Sequence, residues 1–136
     1  MANVIIFTNE RGGVSVCVPT GELPVEAVQA KDCPPNSHIV DHDDLPNEDA
    51  DFFDAWEQTD GVVTVNHAKA VELTKVRLRR EREPLLAAQD VAFQRAQEDG
   101  SDTTAIVAEK KRLRDVTKAA DTAKTLADLR ALKAEK

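Results

Sequence analysis

The spacing of apolar residues changes near the middle of the chain. Before residue 66 they come in short β-branched runs separated by Gly, Pro and Asp; beyond it they recur at helical intervals. Val4-Ile5-Ile6-Phe7 and Val14-Ser15-Val16-Cys17-Val18 flank Asn9-Glu10-Arg11-Gly12-Gly13. That arrangement predicts a β-hairpin whose paired glycines can take positive φ in the turn. Pro19 to Pro24 is a turn-rich break, and Val25 to Lys31 reads as a short helix begun by Pro24 and ended before Pro34-Pro35. His38-Ile39-Val40 is a third candidate strand. The acidic stretch 41–54 contains Pro46 and reads as a loop, with a helical start at Asp51-Phe52-Phe53-Asp54-Ala55-Trp56. Trp56-Glu57-Gln58-Thr59 and Val62-Val63-Thr64-Val65 flank Asp60-Gly61, a strong short-range hairpin signal.

Asn66 can cap a helix running from His67. Its basic run, Lys75, Arg77, Arg79, Arg80 and Arg82, alternates with Glu72, Glu81 and Glu83 at spacings that predict a solvated, ion-paired face. Pro84 lacks a backbone donor, so a kink or restart is expected there. Leu85, Leu86, Ala88, Ala92, Phe93 and Ala96 then share one helical face, and Asp99-Gly100-Ser101 ends it. A second helix from Thr103 or Thr104 carries Ala105, Ile106, Leu113, Val116 and Ala120 on one side, which predicts an antiparallel helical hairpin. Thr125, with Asp128 three residues on, can cap a last short helix bearing Leu126, Leu129 and Leu132. The expected class is therefore α+β: a hairpin-rich module over 1–65, then a helical hairpin and short terminal helix over 66–136. Alanine dominates the helical stripes and buries little area per residue. Either these stripes pack on the front module or they await another chain; the second is the expectation, and self-association as a dimer or trimer would also suit them.

Charge sharpens the division. The net charge of −7 is the sum of −11 over residues 1–65 and +4 over 66–136. An acidic front repels phosphates and argues against nucleic acid as its partner. With 41% hydrophobic residues the chain can bury a core, yet no apolar run approaches the roughly 18–20 residues of a bilayer span. Met1-Ala2-Asn3 does not open a basic and apolar signal segment, so neither a membrane partner nor signal-directed export is expected. Cys17 and Cys33 are accordingly read as free thiols, although a bridge between them is conceivable.

Chemistry-bearing motifs are sparse. Cys33, His38 and His42 with Asp41, Asp43 and Asp44 form the one cluster of metal-ligand residue types, and its spacing fits neither a zinc signature nor an EF-hand. The glycines near residue 12 have neither the Gly-Lys-Ser/Thr of a P-loop nor a dinucleotide fingerprint. No nucleophile elbow, His-Glu-x-x-His or Cys-x-x-Cys occurs. No enzyme activity, metal or cofactor is expected.

Arg82-Glu83-Pro84-Leu85-Leu86-Ala87-Ala88-Gln89-Asp90, followed some twenty residues later by Lys111-Arg112-Leu113-Arg114-Asp115-Val116, resembles the small tail-assembly chaperones, or tail-fibre assembly proteins, of tailed bacteriophages. Leu126-Ala127-Asp128-Leu129-Arg130-Ala131-Leu132 resembles the ends of small proteins encoded beside phage tail-fibre genes. The resemblance spans roughly residues 66–132. It implies a non-enzymatic protein that acts in the host cytoplasm during infection and binds a phage tail or tail-fibre protein through its C-terminal helices. Leu85, Leu86, Phe93, Ile106, Leu113, Leu126 and Leu129 are the expected partner-binding residues. A minor structural protein of the virion tail tip or fibre is the alternative. A small regulatory or nucleic-acid-binding protein using Lys75 to Arg82 is a further one.

Overall fold

The computed structural model describes residues Ala2–Glu135, and the chain divides into two compact units, Met1–Ala70 and Val71–Lys136. The class is α+β, as the apolar rhythm predicts. The boundary falls inside the long helix rather than ahead of it.

In the front unit, β1 (Asn3–Thr8) pairs antiparallel with β2 (Val14–Cys17) across the Asn9–Gly13 turn, where Gly12 takes φ +81°. The Asn9 side chain fastens that turn, accepting from the amides of Arg11 (3.0 Å) and Gly13 (3.1 Å). Helix α1 (Val25–Asp32) follows, and β3 (His38–Asp41) returns to the far edge of β1, giving the order β2-β1-β3. The acidic loop then forms short 3-10 turns over Asn47–Ala55, so the helical start expected at Asp51 is of the 3-10 kind, with the backbone leaving helical angles at Asp49 and Phe52. β4 (Trp56–Thr59) and β5 (Val62–Val65) make the second hairpin. Its turn has both central residues at positive φ, Asp60 at 52° and Gly61 at 84°, the conformation an Asp-Gly pair favours.

Strand alternation sorts the side chains. Val4, Ile6 and Val14, with Val16 and Val40 beside them, pack with Leu45, Trp56 and Val63 in one apolar cluster. The opposite face of β1 carries Ile5, fully buried, between its register partners Cys17 and Ile39. Trp56 is 3% exposed and its indole N–H donates to the Asp49 carbonyl at 3.2 Å, while Phe53 lies against it with ring centres 4.9 Å apart.

Helix α2 (His67–Asp99) starts as the sequence predicts: the Asn66 side-chain oxygen accepts from the Lys69 amide at 3.0 Å. Glu57 braces the cap, accepting from Asn66 Nδ2 at 2.9 Å and pairing with Lys69 at 2.8 Å. Hydrogen bonds from Lys69 and then Asn66 hold the Glu57 carboxyl below its ordinary pKa. Replacing Asn66 by alanine should cost about 1 kcal/mol in denaturant unfolding; a shift under a few tenths would show the cap to be idle.

Of the kink or restart expected at Pro84, the restart does not occur, because α2 runs through it without interruption. Pro84 and Arg80, whose carbonyl the missing N–H would have met, are both exposed, so that carbonyl can be solvated. Gly100, at φ +68°, ends the helix. Helix α3 (Thr104–Asp115) runs back along α2, as Lys110 to Asp90 (2.7 Å) and Arg82 to the Arg114 carbonyl (2.9 Å) show. The chain then breaks where one continuous helix was expected. Val116 and Thr117 form a turn, and α4 (Lys118–Thr122) and α5 (Leu126–Ala131) follow separately. Thr125 caps α5 by accepting from the Asp128 amide at 3.0 Å.

Helices α4 and α5 lie against the first half of α2. Lys75 pairs with Asp121 at 2.6 Å, and Arg77 donates to the Leu129 carbonyl at 3.1 Å. Past α5, Ala134 is clamped on both sides: its amide donates to Glu81 (3.1 Å) and its carbonyl accepts from Arg112 (3.0 Å). Leu78, Leu113, Ala120, Leu129 and Ala134 are buried to 1% exposure or less. The helical stripe is thus partly covered by the chain's own C-terminal residues, which corrects the expectation that it waits bare for another chain.

Glu81 also accepts from Arg77 at 2.7 Å, and this bond, with the Ala134 amide, holds its carboxyl below the ordinary value of 4.5. On acidification the unfolded chain protonates first, so the contribution of this clamp is complete above about 4.5 and is lost as pH falls below it. Exchange protection of the Ala134 amide should therefore drop between pH 5 and 3 in the wild type. In Glu81→Ala, which removes the acceptor, it should be low at both; equal protection in the two proteins would contradict the clamp.

Candidate functional site

The part of the helical hairpin that α4 and α5 leave uncovered carries an open groove of about 610 Å³, lined by Gln89 from α2 and by Ala105, Ile106, Ala108, Glu109 and Arg112 from α3. The helices form it for a local reason. Ala105, Ala108 and Arg112 recur at three- and four-residue spacing along one edge of α3, and the two alanines leave a concavity where larger side chains would fill the angle between the helices. Gln89 is the α2 residue facing them. The floor is apolar and one end is polar, where Arg112 is held against Glu109 by a bidentate ion pair while also reaching the Ala134 carbonyl. Hydrogen bonding to Glu109 pushes the Arg112 guanidinium still higher in pKa, so it stays charged throughout the accessible range.

Beside the groove, Lys110 anchors the two helices. Its ammonium pairs with Asp90 at 2.7 Å and sits 5.1 Å above the centre of the Phe93 ring, a cation–π arrangement. The outer surfaces of the same helices expose Val76, Val91 and Val107, each about half accessible.

The residues singled out from sequence separate into three groups. Ile106 is half-buried and lines the groove. Leu85, Leu86, Phe93 and Leu126 are half-buried, with Leu85 lining a second cleft of about 350 Å³ beside Glu81, Lys133 and Glu135. Leu113 and Leu129 are buried to 1% and 0% exposure, so they belong to the interior and present no surface to a partner. Gln89, Ala108, Glu109 and Arg112 were missed. The alanine spacing and the Glu109–Arg112 pair were visible, but which edge of α3 stays open depends on where α5 returns.

The basic run of α2 is largely spent within its own unit. Lys75 pairs with Asp121, Arg77 with Glu81, and Arg82 reaches the carbonyls of Leu113 and Arg114 at the end of α3. Arg79 and Arg80 remain exposed.

In the front unit, the Cys33/His38/His42 neighbourhood is tied together by local contacts. Asp41 turns its carboxylate back to accept from the Asp43 amide at 2.9 Å, the His42 amide donates to the Ala2 carbonyl, and His38 packs beneath Gly61. Among the described residues no three His, Cys, Asp or Glu side chains converge on a point where an ion could sit. No helix among them is long and apolar enough to cross a membrane. Comparison with known protein families, with curated proteins and with solved structures returned no match.

Proposed function

We propose that this chain is a non-enzymatic assembly chaperone for a component of a bacteriophage tail or tail fibre, and that it holds its client in the α2–α3 groove. The observation that carries the reading is the open, alanine-floored groove on a helical hairpin whose apolar stripe is otherwise partly covered by the chain's own C-terminal residues. The sequence resemblance over residues 66–132 supplies the class of client.

A holding protein needs a surface that shields an apolar segment and then releases it. A groove floored by Ala105, Ile106 and Ala108 offers modest apolar area, suited to reversible binding. Gln89 and the Glu109–Arg112 pair at its margin can fix the register of the bound segment. The strongly acidic front unit keeps a complex soluble and repels nucleic acid.

The test is co-expression with tail and tail-fibre proteins of the source phage, comparing wild type with Ala105→Arg and Ala108→Arg. Both alanines are exposed, so the substitutions fill the groove without entering the core. Capture of the client should fall at least tenfold, as loss of about 1.4 kcal/mol or more of binding implies, while the melting transition stays within a degree or two. Undiminished capture by both variants rules out the groove.

A further inference from the structure

The two cysteines lie on elements that face each other. Cys17 ends β2 on the Ile5 side of the sheet, opposite the apolar cluster. Helix α1 covers the same region with Val28, its one buried residue. A pocket of about 210 Å³ opens there, lined among others by Cys17, Val18, Leu23, Val28, Lys31 and Asp32. Cys33 follows directly as the residue that ends α1, its amide bonded to the Gln29 carbonyl at 3.2 Å. Cys17 and Asp32, the residue before Cys33, line the same pocket, which brings the two thiols into one neighbourhood. Both are reduced and half-buried. Cys17 lines the pocket and Cys33 is itself only partly buried, so a small oxidant can reach the sulfurs.

We propose that Cys17 and Cys33 are an oxidisable pair that closes to a disulfide, tying the end of β2 to the end of α1. The oxidant is a small disulfide of the glutathione type. One protein thiolate attacks a glutathione sulfur, forming a mixed disulfide and expelling one glutathione thiolate; the second protein thiolate then attacks the protein sulfur and expels the other. Two cysteine thiols are oxidised, one glutathione disulfide is reduced to two glutathiones, and the two protons lost by the cysteines are taken up by the expelled glutathione thiolates. The bridge closes the loop 18–32, which exposes Val18 and Leu23, and pins α1 to the sheet.

Burial, and then the neighbouring Cys17 thiol, push the Cys33 thiol above its ordinary pKa. The thiolate is scarce at neutral pH, so closure should be slow at pH 7 and accelerate as pH rises toward 9.

The experiment exposes the purified full chain at pH 8 to graded mixtures of reduced and oxidised glutathione. Intact mass, non-reducing electrophoresis and thermal melting followed by Trp56 fluorescence are read together. The expected product is a monomer lighter by two hydrogens and free of attached glutathione, melting on the order of 10 °C higher than the reduced form. Cys17→Ser and Cys33→Ser should each stop at one glutathione adduct. The double variant should melt identically with and without oxidant. The proposal is overturned by two glutathione adducts on the wild type, by disulfide-linked dimers, by thiols that stay reduced while a control dithiol oxidises, or by a bridge that leaves the melting temperature unchanged or lower. None of these outcomes depends on what the helical groove binds.

Discussion

Replacing Leu113 by alanine is expected to destabilise the helical unit by about 3 kcal/mol, within the range for a fully buried leucine truncated in place. Leu113 is 1% exposed at the last turn of α3, where Arg82 donates to its carbonyl and α5 returns nearby. Deleting the side chain removes its transfer energy and leaves a cavity. Its neighbours cannot close that cavity easily, because Lys75–Asp121, Arg77–Leu129 and the two bonds to Ala134 fix the surrounding backbone. Far-UV circular dichroism in denaturant reads this directly. Leu113→Asp should abolish the helical transition, because it buries an unpaired charge. A Leu113→Ala effect below about 1 kcal/mol would mean that the residue is on the surface after all.

The second large effect belongs to the front unit. Ile6→Ala should cost about 3–4 kcal/mol, since Ile6 is fully buried on the central strand, within the cluster of Val4, Val14, Leu45, Trp56 and Val63. Trp56 is the only tryptophan in the chain, so its fluorescence follows this unit alone. Ile5→Ala on the opposite face of the same strand should cost a comparable amount, because both faces of β1 are covered. A strand with one solvated face would show a large loss at one position and almost none at the other. Equal tolerance at both positions would contradict the two-sided packing.

Local signals in the sequence read well. Asp60-Gly61 makes a turn with two positive φ values because few other residue pairs adopt it cheaply, and Asn66 and Thr125 cap helices because each offers an oxygen to the amide three residues on. What depended on distant partners did not read. β3 joins the free edge of β1 rather than β2, a choice made through the crossover of α1 and invisible to strand periodicity. Pro84 suggested an interruption, but a missing donor is tolerable where the opposing carbonyl faces water.

The site was legible only in part. Leu113 and Leu129 are apolar at the right spacing whether a second chain covers them or they pack inside their own unit. The bonds that decide the matter, from Arg77, Glu81 and Arg112 to residues 129–134, join positions 22 to 53 apart. With α5 and the residues after it on that surface, the groove beside Ala105 and Ala108 stays open.

The most direct test of the chaperone assignment is quantitative mass spectrometry of purified phage particles and of the infected-cell lysate that produced them. The account predicts abundant chain in the lysate, associated with a tail or tail-fibre protein, and none above background in the finished particle. A fixed number of copies per tail would contradict it and make the chain a structural component of the virion.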